Sequence, residues 1–103
     1  MILGPSGQNI YPEEIEDLVN SSDEVIESLI VDRNHKLVAL VYPDYELLKT
    51  PEYADKDIKQ LITSAIRNIN KNLPQYSQIA DVEIRDQEFE KTPKRSIKRF
   101  MYK

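Results

Sequence analysis

The C-terminal stretch 91–103 carries the side chains best suited to binding phosphate. Six of the 14 basic residues fall there and no acidic residue interrupts them, although the whole chain has a net charge of −4. Lysine offers a mobile positive charge and arginine a planar fork that matches phosphate oxygens. This segregation predicts a local positive field that binds a phosphate group, and the alternative is a solvated basic tail. The six residues are Lys91, Lys94, Arg95, Lys98, Arg99 and Lys103.

A second candidate for ligand contact is the turn that contains both glycines of the chain, Gly4 and Gly7. Glycine adopts backbone conformations that other residues avoid, so the pair indicates a tight, exposed turn. Pro12 suits the first position of a helix, and the acidic residues Glu13 and Glu14 favour its N-terminus. Such a turn lets a ligand approach the backbone closely, and the alternative is an ordinary glycine-rich turn before a helix.

Hydrophobic periodicity predicts the elements that position these two segments. Residues 1–3 and 8–11 are expected to pair as a hairpin, followed by a helix from Pro12 to about Val19. The β-branched run 25–31 and the apolar run 37–42 predict two antiparallel strands. Because the second run has no polar interruption, we expect it to be the central strand, buried on both faces.

Two further helices and a strand complete the expected fold. A short helix is predicted over 44–49, a long amphipathic helix over 56–73, and a half-buried strand in which Ala80, Val82 and Ile84 face inward. These elements predict a single α+β domain over residues 1–103, with a small antiparallel or mixed sheet and flanking helices. The apolar stripe of the long helix comprises Ile58, Leu61, Ile62, Ala65, Ile66, Ile69 and Leu73.

Composition argues against several classes of site. The chain has no cysteine and one histidine, so we expect no disulfide and no metal site. That histidine, His35, falls in a predicted turn, and we assign it no catalytic role. The acidic net charge argues against nucleic acid as a partner. No membrane span or signal peptide is apparent, so we expect a cytoplasmic protein.

Residues 7–16, which read Gly-Gln-Asn-Ile-Tyr-Pro-Glu-Glu-Ile-Glu, resemble a signature of the adenylate-forming enzymes. This family includes acyl-CoA synthetases, the amino-acid-activating domains of peptide synthetases and firefly luciferase. Residues 90–99 are similar to its terminal motif, Pro-Lys-Thr-x-x-Gly-Lys-Ile-x-Arg. Ser96 occupies the position of the family's catalytic lysine, so the resemblance leaves Lys94 and Lys98 as candidates. We favour Lys94, on the expectation that Ser96 caps a short terminal helix and leaves Lys94 in the loop before it.

The Lys-Thr-Pro and Ile-Lys-Arg of the terminal motif, together with the Leu-Pro-x-Tyr at residues 73–76, resemble the long-chain fatty acyl-CoA synthetase branch. The resemblance implies ligation of a fatty acid to CoA with ATP and Mg²⁺, giving acyl-CoA, AMP and pyrophosphate. It implies that the lysine and Arg99 contact phosphate during adenylation. After a hinge motion, the loop formed by Gly7, Gln8 and Asn9 would line the path of CoA.

The resemblance also implies that this chain is a mobile C-terminal lid, whose partner is a large N-terminal domain holding the ATP and acyl pockets. We therefore expect the excised chain to bind no cofactor tightly and to be inactive alone. The full-length enzyme would be an acid–thiol ligase, compatible with peripheral association with a membrane. Two alternatives stay open: a stand-alone adaptor that binds phosphorylated ligands, and a degenerate lid without catalytic function.

Overall fold

The computed structural model describes residues 2–3, 7–34, 36–91 and 93, and the elements fall within these ranges. None of the described helices is both long and apolar enough to cross a membrane. Residues 75–77 form a 3-10 turn. The strands and helices, in chain order, are β1 (Ile2–Leu3), β2 (Asn9–Ile10), α1 (Pro12–Asn20), β3 (Val25–Arg33), β4 (Lys36–Pro43), α2 (Tyr45–Leu48), α3 (Ile58–Asn70) and β5 (Ile79–Ile84).

The main sheet has three strands in the order β3-β4-β5. Strands β3 and β4 are antiparallel, with Leu29 opposite Leu40, and β5 runs parallel to β4. The two short strands β1 and β2 form a separate antiparallel pair. The prediction of an α+β domain with a small mixed sheet and flanking helices is thus confirmed, and so is the central position of the apolar run 37–42.

One face of the sheet is covered by α1, α3 and β2. Ile62 and Ile66 of α3 are buried there, and Leu61 beside them is half-buried. This agrees with the prediction that the amphipathic helix packs its apolar stripe on the sheet. The buried side chains of this first face include Ile10, Ile15, Val19, Val25, Ile30, Leu37, Ala39, Val41, Ile62, Ile66, Ile79 and Val82.

The opposite face of the sheet is covered by the extended segment that follows β5. We call residues 85–91 the strap. Phe89 of the strap is 3% exposed, and it packs with the side chains of β3 and β4 that alternate with those of the first face. The sheet residues in this second cluster are Leu29, Val31, Val38 and Leu40, with Tyr42 partly buried against them.

Helix α1 is attached to the sheet by a buried carboxylate. Glu16 is 6% exposed, and its Oε2 accepts a hydrogen bond of 2.7 Å from the backbone N–H of Ile30. Ile30 belongs to β3, which is an edge strand of the three-stranded sheet. A buried carboxylate is tolerated only where hydrogen bonds compensate its desolvation, and an edge strand offers such donors.

The strap begins with two hydrogen bonds made by the backbone of Arg85. Its N–H donates to the carbonyl of Val41 at 2.8 Å, and its carbonyl accepts from the hydroxyl of Tyr45 at 2.5 Å. Burial raises the pKa of the Tyr45 phenol above its ordinary value, and the charge of Asp86 adds to that effect. The phenol therefore remains a hydrogen-bond donor at neutral pH.

Two details differ from the sequence predictions. Helix α3 starts at Ile58 and ends at Asn70, inside the predicted range of 56–73. Asp57 caps its first turn, and the Asn70 side chain accepts from the N–H of Ile79 at 2.9 Å and donates to its carbonyl at 3.0 Å. The Asn70 side chain thus joins the end of α3 to the start of β5 through hydrogen bonds.

The prediction that Ala80 faces inward is wrong. Ala80 is exposed, whereas Ile79 and Val82 are buried. The pairing of β5 with β4 shifts register between Leu37 and Val38, so the alternation of faces is interrupted just after Ile79. The prediction for His35 lies outside the described residues.

Replacing Glu16 by alanine should lower the free energy of unfolding by about 1–3 kcal/mol, because the N–H of Ile30 loses its acceptor in a buried setting. Glu16→Gln should lose less, since an amide oxygen can still accept. Urea denaturation measures both values. The matched control is Asp17→Ala on the exposed side of the same helix, expected to stay within about 0.5 kcal/mol of the parent. Equal effects of Glu16→Ala and Asp17→Ala would contradict the anchoring role of Glu16.

Replacing Tyr45 by phenylalanine should cost about 0.5–1.5 kcal/mol at neutral pH, because the hydrogen bond to the Arg85 carbonyl is lost while the ring is kept. The pKa of Tyr45 is higher in the folded state than in the unfolded chain. The stabilisation by its neutral phenol is therefore fully present below about pH 10 and lost as the pH rises through the folded pKa. Urea denaturation from neutral to alkaline pH should show the difference between parent and variant shrinking. Tyr76→Phe, at an exposed tyrosine, should show no such trend.

Candidate functional site

The glycine-containing loop presents exposed backbone at Gly7. Gly7 has a φ of +84°, a value that residues with a side chain rarely adopt. A Cβ added there would meet no atom within 4 Å. The requirement for glycine is therefore conformational, and the space above this backbone is open to a ligand.

The next two residues of the loop differ in exposure. Asn9 is exposed, and its backbone pairs with Leu3 of β1. Gln8 is half-buried, and its Oε1 is buried without a hydrogen bond to any described residue. The structure thus places Gly7, Gln8 and Asn9 together at the entry to β2, with the Gln8 amide oxygen turned away from solvent.

The loop is held on the first face of the sheet by the residues that follow it. Ile10 is buried with α1 and α3, and α1 begins at Pro12 after the exposed Tyr11. Glu16, the last residue of the signature, ties α1 to β3 as described above. The sequence analysis did not predict this role of Glu16. The feature that could have indicated it is an acidic residue next to Ile15 on the apolar side of the helix.

The strap runs along the second face of the sheet and is followed in the chain by residues 92–103, which we call the basic segment. The guanidinium of Arg85 lies over the Phe89 ring, 4.7 Å from its centroid. Beyond Phe89, the Nζ of Lys91 forms an ion pair with Oε1 of Glu27 on β3. Phe89 was also missed by sequence reasoning, although it is the sole apolar residue in the stretch 85–91.

The candidate phosphate-contacting residues follow the strap. Lys94, Lys98 and Arg99, together with Ser96 at the family's lysine position, lie outside the described residues. Their roles accordingly stay predictions. The structure does describe how the chain reaches them, since residues 85–91 are anchored on the sheet at Arg85, Phe89 and Lys91.

The loop and the strap lie on opposite faces of one sheet. Ile10, just after the loop, belongs to the cluster on the first face, and Phe89 of the strap belongs to the cluster on the second face. Strand β4 contributes alternate side chains to both clusters, for example Ala39 to the first and Leu40 to the second. One sheet thus carries the candidate ligand-contacting loop on one side and, on the other, the strap that leads to the candidate phosphate-contacting residues.

A cavity of about 530 Å³ lies away from both the loop and the strap. It lies between the end of α1 and α3, and residues such as Leu18, Ser22 and Asn68 line it. No residue of the loop or the strap contributes to it. Across the described ranges, no three His, Asp or Glu side chains come together in an arrangement that could hold a metal ion.

The sequence matches a family model described as the C-terminal domain of AMP-binding enzymes, over residues 1–102. No curated protein shows significant sequence similarity to the chain. Among solved structures, the fold is similar to the adenylation domain of a carboxylate reductase from Mycobacterium chelonae. That match has 21% identity and a TM-score of 0.81, and it covers 97% of this chain and 17% of the other.

Two further structures show the same fold. One is the A-PCP didomain of a carboxylic acid reductase from Segniliparus rugosus in complex with AMP, with 18% identity and a TM-score of 0.76, covering 95% of this chain and 15% of that one. The other is a fatty acyl CoA synthetase from Mycobacterium tuberculosis, with 21% identity and a TM-score of 0.66, covering 98% and 18%. The chain spans less than a fifth of the length of each of these proteins.

The family match runs over nearly the whole chain, and the signature at residues 7–16 occupies an exposed loop and the helix behind it. The three-stranded mixed sheet with helices on one face agrees with the solved structures. The chain therefore belongs to the family of C-terminal domains of AMP-binding, adenylate-forming enzymes.

Proposed function

We propose that this chain is the mobile C-terminal lid of an AMP-forming long-chain fatty acid–CoA ligase in the cytoplasm. The observation that carries the proposal is the position of the loop and the strap on opposite faces of one sheet. A rigid domain can present only one of these faces to a fixed active site at a time. Two chemical steps that need different groups therefore fit a lid that turns between them.

In the first step, the fatty acid carboxylate attacks the α-phosphorus of ATP, and pyrophosphate leaves with the bonding electrons. Negative charge builds up on the phosphate oxygens in this transition state. The basic segment that follows the strap supplies Lys94 or Lys98, with Arg99, to stabilise that charge. The strap holds the start of this segment, so that these cations enter the cleft from a defined position.

In the second step, the thiol of CoA loses its proton and attacks the acyl carbonyl of acyl-AMP, and AMP leaves. The loop at Gly7, Gln8 and Asn9 lines the path of the CoA arm. Exposed backbone with no side chain at Gly7 permits a long, narrow substrate to pass close by.

The remaining components belong to the rest of the enzyme. We assign ATP, Mg²⁺ and the fatty acid to a large N-terminal domain, as the resemblance to adenylate-forming enzymes implies. The chain alone should then be inactive. The fold shared with a fatty acyl CoA synthetase supports CoA as the acceptor, and the fold shared with carboxylic acid reductases makes a carrier domain the alternative acceptor.

Lys94→Ala in the full-length enzyme should slow acyl-AMP formation by about 10²–10³, because one donor that stabilises the developing charge is removed. Formation of thioester from supplied acyl-AMP should be largely unaffected. Pyrophosphate exchange measures the first step and release of AMP on adding CoA the second.

Lys71→Ala is the matched control, since Lys71 is an exposed lysine at the end of α3. The 103-residue chain alone serves as the blank. A loss with Lys98→Ala and none with Lys94→Ala would transfer the role to Lys98. If neither variant changes adenylation, the degenerate-lid alternative gains at the expense of both lysine assignments.

Replacing Gly7 should slow thioester formation more than adenylation, because its loop faces the active site only in the second step. Gly7→Asn tests whether the CoA arm passes close to this backbone, since asparagine tolerates a positive φ while adding a side chain. Gly7→Val adds backbone strain of about 1–3 kcal/mol as well, which thermal denaturation can separate from the rates. An equal loss in both steps for Gly7→Asn would contradict the assignment of the loop.

A further inference from the structure

The strap ends at an ion pair between Lys91 and Glu27. Glu27 lies on β3, with its side chain 16% exposed, and its Oε1 pairs with Lys91 Nζ. Its other oxygen, Oε2, is buried and makes no hydrogen bond to a described residue. A carboxylate in such a setting is strongly unfavourable without a cation beside it. The pair therefore favours a position of the Lys91 side chain beside β3.

The ion pair and Phe89 together set the register of the strap on the sheet. Phe89 and Lys91 are two residues apart, so in an extended chain they face the same side. If the strap slipped by two residues, Phe89 or Pro93 would stand opposite Glu27. Neither carries a charge, and the buried carboxylate would lose its partner. The same slip would take Phe89 out of its apolar cluster and bring Gln87 or Lys91 against it, so both contacts favour the observed register.

The register of the strap limits where the basic segment can begin. Lys94 follows Lys91 by three residues, a span of at most about 10 Å of extended chain, whereas Lys98 follows by seven, at most about 25 Å. By chain length alone, a fixed Lys91 limits the reach of position 94 more than that of position 98. A displacement of about 1 Å at a catalytic group can reduce a rate by about 10²-fold.

We propose that Glu27 and Lys91 are a positioning pair that fixes the start of the basic segment and so places the phosphate-contacting lysine for adenylation. Neither residue contacts the substrate. The proposal rests on the lid function stated above. It goes beyond the lid function by stating that an ion pair on the second face of the sheet controls the rate of the first chemical step.

The test uses Glu27→Gln and Lys91→Met in the full-length enzyme, with Lys91→Arg as the variant that keeps the charge. Hydrogen exchange of residues 85–91 reports the anchoring directly and needs no catalytic activity. Glu27→Gln and Lys91→Met should exchange faster there and form acyl-AMP about 10- to 10²-fold more slowly. Thioester formation from supplied acyl-AMP should be largely unchanged. Lys91→Arg should restore both the protection and most of the adenylation rate.

Glu83→Gln is the matched control. It removes the ion pair of Glu83 with Arg33, which joins β5 to β3 and does not involve the strap. It should change neither the exchange of residues 85–91 nor the adenylation rate. If Glu27→Gln folds poorly, as circular dichroism would show, Lys91→Met carries the test, because Lys91 lies at the more exposed end of the pair.

Unchanged exchange at residues 85–91 in both single variants would overturn the anchor. Faster exchange with unchanged adenylation would overturn the positioning role, and the lid function would still stand if Lys94→Ala or Lys98→Ala slowed adenylation. A parent enzyme that forms no acyl-AMP would overturn the proposed function, and the positioning role with it. The exchange measurement would in that case still decide whether the ion pair holds the strap.

Discussion

Strand β4 must be covered on both faces, and most of the architecture follows from that constraint. Its side chains from Leu37 to Val41 are all buried, so neither face of the sheet can be left to solvent at this strand. Helices α1 and α3 cover the first face. On the second face, the strap covers the sheet with Phe89, and Tyr45 of α2 contacts Tyr42 edge-on. A short extended segment thus performs the packing that a second helical layer performs in larger α/β domains.

The strap is consequently both a structural element and the route to the basic segment. Its start is held by backbone hydrogen bonds to Val41 and from Tyr45, its middle by burial of Phe89, and its end by the Lys91–Glu27 ion pair. Removing it would expose the second face of β4. The residues that complete the core therefore lie directly before those that we propose to contact phosphate, so the stability of the sheet and the placement of the lysine are coupled.

Two glutamates attach other parts of the domain to the edge strand β3. Glu16 comes from α1 and accepts a hydrogen bond from the strand backbone, whereas Glu27 belongs to the strand and pairs with the strap. An exposed edge would offer unpaired backbone groups to other chains. The first glutamate fastens the layer that carries the loop, and the second fastens the segment that leads to the basic residues. The two candidate functional segments are therefore both attached through β3.

The sequence by itself determined the class of fold and the position of nearly every element. Three local patterns carried this information: an apolar run without polar interruption, a helix with one apolar face, and a proline at a helix start. Each acts within a few residues, so it can be recognised without knowing which distant residues it will contact. The same holds for the glycine at position 7, where the backbone alone requires φ of +84°. The charge segregation at the C-terminus is likewise visible in the sequence.

Only the tertiary structure decided which distant groups meet. The contact of Glu16 with Ile30 and that of Glu27 with Lys91 join residues far apart in the chain. The position of Glu16 on the apolar face of α1 is visible in the sequence, but no local pattern identifies the partner of either glutamate. The exposure of Ala80 depends on a register shift against β4, which the sequence of β5 does not encode alone. The opposite placement of loop and strap arises because β4 alternates its side chains between two clusters, and chain order carries no information about which face each segment will cover.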